Sequence, residues 1–270
     1  MIPAAFEYTS AESAEHALEL LTEFGDEAKL LAGGHSLLPM MKLRLAYPSA
    51  LIDIGHATGL DGIRDEGDEL VIGATTCHAD VAASALIRAK APLLAHSAAQ
   101  VGDPQIRHRG TIGGSLAHAD PAADLPMALV ALAGSVEISG PGGQRTVAAD
   151  DFFTGFFETT LEPDELLTAV RVPARTGAGW GYQKFVRRAN DWSIVGVAAI
   201  GGRIALANMG PVPMRARAAE QALAEGASPE QAANLAAEGT SPGEDIHADR
   251  AYRRHLARVL TRRALEHRAG

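Results

Sequence analysis

The stretch "KLLAGGHSLLPMMKLRLAYPSALIDI", residues 29–54, decides the fold. Residues 29–32 read as a strand, and Gly33 and Gly34 follow at once. Glycine reaches backbone conformations that other residues avoid, so the pair marks a sharp turn. "SLLPMMKLRLA" then reads as a short helix and "ALIDIG" as a second strand. Upstream, residues 6–8 are a strand candidate, and Thr9 with Glu12 fits the capping-box pattern T-x-x-E. Ala14, Ala17, Leu18 and Leu21 fall at helical spacing, and Gly25 is a natural stop. Together these make a β-α-β-α-β unit that closes near Gly55.

Beyond Gly55 the pattern changes. "GIRDEGDELVIGA" predicts a hairpin across residues 65–67. "HADVAASALIRAKAPLLAHSAAQVG" is alanine-rich and helical, interrupted at Pro92. "RGTIGGSLAHADPAADLPMALVALAG" predicts a glycine turn, a loop and a helix from about Asp124. A hairpin around residues 141–143 and the strand "ELLTAVRVP" follow, and "ARTGAGWG" reads as a linker. After it come three antiparallel strands, "WGYQKFVRR", "SIVGVAAIGG" and "RIALANMG". Helices close the chain: "MRARAAEQALAEG", one opened by Ser228 and Pro229, and one from Ala248 to about Arg268. In the last, Tyr252, Leu256, Val259 and Leu260 form an apolar stripe.

Composition narrows the function. Of 270 residues, 47% are hydrophobic, enough for a sizeable core. No apolar run reaches the length of a membrane span. The first residues, "MIPAAFEYTSAESAEH", lack the basic and apolar regions of a secretory signal, which points to the cytoplasm. A net charge of −9 argues against general nucleic-acid binding. The lone Cys77 can form neither an internal disulfide nor a thiolate cage for iron–sulfur or zinc. It reads as an unreactive thiol.

Two glycine pairs carry the chemistry. "AGGHS" holds Gly33 and Gly34, and "TIGGS" holds Gly113 and Gly114. Amides converging at such a turn bind anions, and a following helix N-terminus adds to the effect. Thr111, Ser36 and Ser115 add hydroxyls. Two such cradles suit the two phosphates of a dinucleotide; two ordinary tight turns are the other reading of the same residues. Common alternatives are absent: there is no G-x-G-x-x-G after a strand, no G-x-x-x-x-G-K-[ST], no G-x-S-x-G and no H-E-x-x-H. His108, His118, Asp120 and Asp124 lack a recognised ligand spacing, so no metal site is expected.

"AGGHSLLPMMKLRLAYPSALIDI" and "RHRGTIGGSLAHADPAADLP" closely resemble the FAD-binding medium subunit of carbon monoxide dehydrogenase and related molybdenum hydroxylases, and xanthine dehydrogenase carries a similar domain. "KFVRRANDWSIVGVA" and "YRRHLARVLTRRAL" match the same family, in the same order. The resemblance implies an α+β chain with a two-part FAD-binding domain. A small α/β subdomain, 1–55, and a larger α+β subdomain, 56–176, would hold FAD between them. A three-stranded antiparallel sheet with a helical bundle would follow at 177–270. It also implies non-covalent FAD here, with [2Fe–2S] clusters on a small partner chain and the molybdenum cofactor on a large one. The assembly would be a dimer of heterotrimers, passing electrons from the clusters through FAD to an external acceptor.

The resemblance implies site residues too. Ala32, Gly33, Gly34, His35 and Ser36 would form the first pyrophosphate loop, with Leu37 and Leu38 opening its helix. Thr111, Gly113, Gly114 and Ser115 would form the second flavin-contacting turn. Asp124 would contact the cofactor, or cap a helix, or both. Leu166 would be an apolar flavin contact. Lys184 would lie near the flavin as a cation that stabilises the reduced ring, or else be a surface lysine. Trp192 would shield one flavin face or belong to the core. Arg107 and Arg109 would face phosphate, a partner or solvent. A free-standing flavin oxidase, with His35 as covalent anchor, and a flavin-free assembly subunit are the competing functions.

Overall fold

In the computed structural model, which describes residues 2–266, three main sheets follow one another along the chain. The first is built from β1 (Glu7–Ser10), α1 (Ala14–Phe24), β2 (Ala28–Leu31), α2 (Leu37–Lys42) and β3 (Ala50–Asp53). Its strands are parallel, in the order β1-β3-β2. Central β3 buries Ala50, Leu51 and Ile52, as a strand covered on both faces should. The cap of α1 departs from the sequence reading. Thr9 lies inside β1, paired with Ile52, so the strand outlasts the proposed box. Ser13 caps instead, accepting from the His16 amide at 3.2 Å. Gly25 ends the helix at φ 64°.

The second sheet is antiparallel. It uses β4 (Ile63–Asp65), β5 (Glu69–Gly73), β6 (Ser135–Gly140), β7 (Gly143–Ala148) and a long strand, Leu166–Pro173, in the middle. A two-stranded hairpin, β8 (Phe153–Gly155) and β9 (Glu158–Thr159), precedes that strand, which is therefore β10. The order is β4-β5-β10-β6-β7. The alanine-rich stretch divides into α3 (His78–Ala83), α4 (Ala85–Lys90) and α5 (Pro92–Ala99). Ser84 caps α4, and Pro92 occupies the first turn of α5, where it loses no hydrogen bond. Three more helices are α6 (Pro104–Arg107), α7 (Ile112–His118) and α8 (Asp124–Leu132), and α9 (Ala149–Phe152) follows β7.

Helix α8 organises the molecule. Its sequence, DLPMALVAL, is apolar all round after Asp124, and every residue is buried. It packs on α5 and β10 on one side and on the third sheet on the other. That sheet contains β11 (Trp180–Phe185), β12 (Val195–Ile200), β13 (Arg203–Ala207) and β14 (Met214–Arg215), all antiparallel. The sequence predicts three strands here. The fourth has two residues, too few to produce an alternation. β12 is buried at all six positions, because α8 covers one face and α12 (Arg250–Glu266) the other. Between lie α10 (Arg217–Ala224) and α11 (Pro229–Asn234), the latter opened by a full capping box of Ser228 and Gln231.

The buried stripe of α12 is rotated from the expected one. Leu256 and Leu260 are buried, but Tyr252 is exposed and Val259 only partly covered. Arg253 takes the inner position instead. Its guanidinium donates to Ile194 O and Asp245 Oδ2, each at 2.5 Å, so a buried charge is answered. The expected extension of this helix to Arg268 lies outside the described residues.

Candidate functional site

A cleft of about 1110 Å³ opens where the three sheets meet. Its walls come from the loop between β2 and α2, the start of α7, the start of α8, the hairpin β8–β9, the start of β10, Lys184 on β11 and Trp192 in the loop between β11 and β12. Ala32, Gly33, Gly34, His35, Ser36 and Leu37 line it, as do Thr111, Gly113, Gly114, Ser115, Asp124 and Leu166. Leu38 does not. It lies beneath Gly34, where an added Cβ would come within 2.9 Å of its Cδ1.

The first loop is built for an anion. The amides of Gly33, Gly34, His35, Ser36 and Leu37 donate to no acceptor among the described residues. Five consecutive free amides on a cleft-lining loop are the kind of donor set that binds an anion. Gly34 has φ 74°, which a residue with Cβ adopts only at a cost. Gly33 stands directly against the Arg109–Gly110 backbone, so the first loop abuts the residues that lead into the second glycine segment.

The second segment works differently from its sequence reading. Gly113 and Gly114 are not a turn; they lie in the first turn of α7, capped by Thr111. Their amides are already committed. Gly113 N–H donates to Ala74 O at 2.8 Å and Gly114 N–H to Thr111 Oγ1 at 3.1 Å. Here glycine provides space rather than donors. A Cβ on Gly113 would lie 2.6 Å from Ala74 Cβ. Without side chains, the backbone of α7 itself becomes a cleft wall.

Asp124 and Lys184 meet as a buried pair, Nζ to Oδ2 2.9 Å, with side chains 3% and 8% exposed. Lys184 is therefore neither a surface residue nor an uncompensated cation. Lys184 also donates to Gln100 O at 3.2 Å, and Tyr182 O–H donates to Asp124 Oδ1. Burial pushes the Asp124 carboxyl above the ordinary range, against the pull of Lys184 and Tyr182. Burial and Asp124 push the Tyr182 phenol well up, so it stays a donor. Trp192 is 55% exposed at the cleft, which rules out the core reading. Leu166 is a buried apolar wall. Arg107 turns away to Val101 O and Gly102 O, and Arg109 is exposed.

The structure adds residues that the sequence reading passed over. Phe157 lines the cleft at φ 59°, with its ring 4.9 Å from that of His118. A bulky residue in that region is a strained position of the kind found at functional sites. His78, at the start of α3, also lines the cleft. Burial, with His35 and Arg107 nearby, lowers its pKa from 6.5 to about 4, so it is neutral. Its Nδ1 is buried without a partner among the described residues. No sequence signal marks Phe157, whereas "TTCHAD" at a strand-to-helix junction could have marked His78.

An array of free amides, a backbone wall without side chains, an apolar floor and an aromatic edge fit a dinucleotide with a flat ring system. Fold and site thus define a flavin-binding subunit. The known proteins agree. Residues 4–175 match the FAD binding domain in molybdopterin dehydrogenase, and residues 180–267 match the CO dehydrogenase flavoprotein C-terminal domain. The chain is 43% identical to the carbon monoxide dehydrogenase medium chain of Hydrogenophaga pseudoflava, covering 98% of this chain and 97% of that one. It is 40% identical to the corresponding chain of Afipia carboxidovorans, with the same coverage. A solved chain of the Hydrogenophaga pseudoflava enzyme lacking the Mo-pyranopterin moiety superposes with a TM-score of 0.95, at 45% identity over 98% of both chains. The chain belongs to the family of FAD-binding medium subunits of molybdenum hydroxylases.

Proposed function

We propose that this chain carries non-covalent FAD as the electron-transfer subunit of a three-chain molybdenum hydroxylase. Its partners are a small iron–sulfur chain and a large molybdenum-cofactor chain, in a cytoplasmic dimer of heterotrimers. FAD, when bound, supplies the exchange of electrons between the clusters and an external acceptor. The observation that carries the reading is the row of five free amides on the cleft wall, Gly33 to Leu37.

In this reading the chain works as three pieces, 1–55, 56–176 and 177–270. Ala32 leads the chain from β2 into the loop, Gly33 through Ser36 hold the pyrophosphate through backbone N–H groups, and Leu37 adds the first amide of α2. Leu38 supports the loop from beneath. Thr111 fixes the start of α7, so that Gly113, Gly114 and Ser115 present bare backbone. Leu166 excludes water, and Trp192 covers the open side. Asp124 and Lys184 place a compensated charge pair at the wall. His35 contributes an amide and is no covalent anchor. No residue here handles the substrate, whose oxidation belongs to the large chain.

Tandem purification of the tagged chain from its native host tests this reading. Co-purification of a cluster-bearing chain and a large molybdenum chain is the expected result. A lone chain that turns over a substrate with oxygen would replace the proposal with the free-standing oxidase.

A further inference from the structure

We propose that Tyr182 is a positioning residue for the cofactor site: by donating to Asp124 it shares that carboxylate with Lys184, and so sets the charge Lys184 presents to the cleft. The proposal rests on the FAD reading above. Tyr182 and Lys184 are two apart on β11 and therefore project from the same face. Both reach Asp124 across the junction between the FAD-binding part and the third sheet. Each carboxylate oxygen receives one of them, Oδ1 from the phenol and Oδ2 from the ammonium. Asp124 and Lys184 line the cleft; Tyr182 stands behind them. Its ring is held by His96, centroids 5.0 Å apart, which also lies 5.1 Å from Trp180.

The physical consequence follows from burial. Where water is excluded, fixed charges act strongly on one another. A carboxylate that also accepts from a phenol offers less charge to the ammonium. Remove the hydroxyl and Oδ1 loses its donor, the carboxylate compensates Lys184 more fully, and the wall becomes more negative. Charge near a flavin ring tunes its electronics.

The test is Tyr182→Phe in the full chain, which keeps the ring and its contact with His96. FAD affinity is measured by equilibrium titration, and the midpoint potential of bound FAD by spectroelectrochemistry. The expected result is retained binding of oxidised FAD, with the two-electron couple weakened about tenfold, a midpoint about 30 mV lower. An unchanged or raised midpoint overturns the proposal while leaving the FAD reading intact. Failure of the wild-type chain to bind FAD would overturn the reading itself. The double variant Tyr182→Phe/Asp124→Asn removes the unanswered carboxylate and keeps the test readable should the single variant not fold. Its midpoint should equal that of Asp124→Asn alone, because the hydroxyl acts only through Asp124. A further shift in that background would refute the mechanism.

Discussion

Replacing Gly33 by alanine separates the two roles that glycine plays at this cleft. A Cβ at Gly33 would run into Arg109 O and lie 2.8 Å from both Arg109 C and Gly110 Cα. Ordinary contact begins at 3.4 Å, so even the latter pair must open by about 0.6 Å. All three atoms belong to the backbone, so no side chain can swing aside. Overpacking of this kind costs about 1–3 kcal/mol of stability. The larger effect falls on the ligand. A hydrogen bond to a charged group contributes about 1.5–3 kcal/mol. Misaligning two amides of the 33–37 row would therefore cost about 3–6 kcal/mol, roughly two to four decades in Kd. Gly114→Ala meets only the hydroxyl of its own cap, Thr111 Oγ1 at 2.7 Å, and should weaken binding less. FAD titration followed by flavin fluorescence, with urea unfolding of each variant, reads both quantities. Wild-type affinity in Gly33→Ala, or a greater loss in Gly114→Ala, would refute the division into donor loop and bare wall.

Other consequences are as direct. His78 has its folded pKa lowered from 6.5 to about 4, so the unfolded chain takes up the proton first and stability falls as pH drops through that window. At about 1.4 kcal/mol per decade of proton affinity, the loss is about 3 kcal/mol between pH 7 and pH 4. The difference in urea-unfolding free energy between wild type and His78→Gln should shrink by that amount over this range; a constant difference would contradict it. Lys184→Met leaves Asp124 buried without its counter-charge and should cost about 3–5 kcal/mol, partly recovered in Lys184→Met/Asp124→Leu. Calorimetric melting of both proteins checks this, and no recovery would argue against the pair. Trp192→Ala should change stability by less than about 0.5 kcal/mol, since the side chain is more than half exposed. The same variant should raise the fluorescence of bound FAD by removing a quenching ring; unchanged emission would place Trp192 away from the flavin.

Local signals explain what the sequence made legible. The parallel unit was readable because helix spacing in α1 alternates with short apolar strands, and Gly25 ends the helix where expected. The hairpins were readable from D-E-G and P-G-G at their turns. Thr9 misled because a capping pattern is short-range, while the strand around it is fixed by Ile52, distant in sequence. "TIGGS" misled for a related reason. A glycine pair is ambiguous between a turn and a helix start, and Ala74, against which Gly113 packs, decides it. The loop around Gly33 was legible in kind, but the free state of its amides is a property of the folded chain. The compensation of Lys184 was barely legible, because Asp124 reaches it only when α8 packs against the third sheet, to which β11 belongs. Tyr182, two residues before Lys184, carried the one hint: a strand places both on the same face.

The most direct measurement of the central claim is the flavin content of the purified protein before and after acid precipitation. The account predicts FAD equimolar with this chain, absorbing near ~450 nm and released wholly into the supernatant by acid. No flavin bands even after reconstitution with FAD, or flavin retained in the pellet on His35, would contradict it.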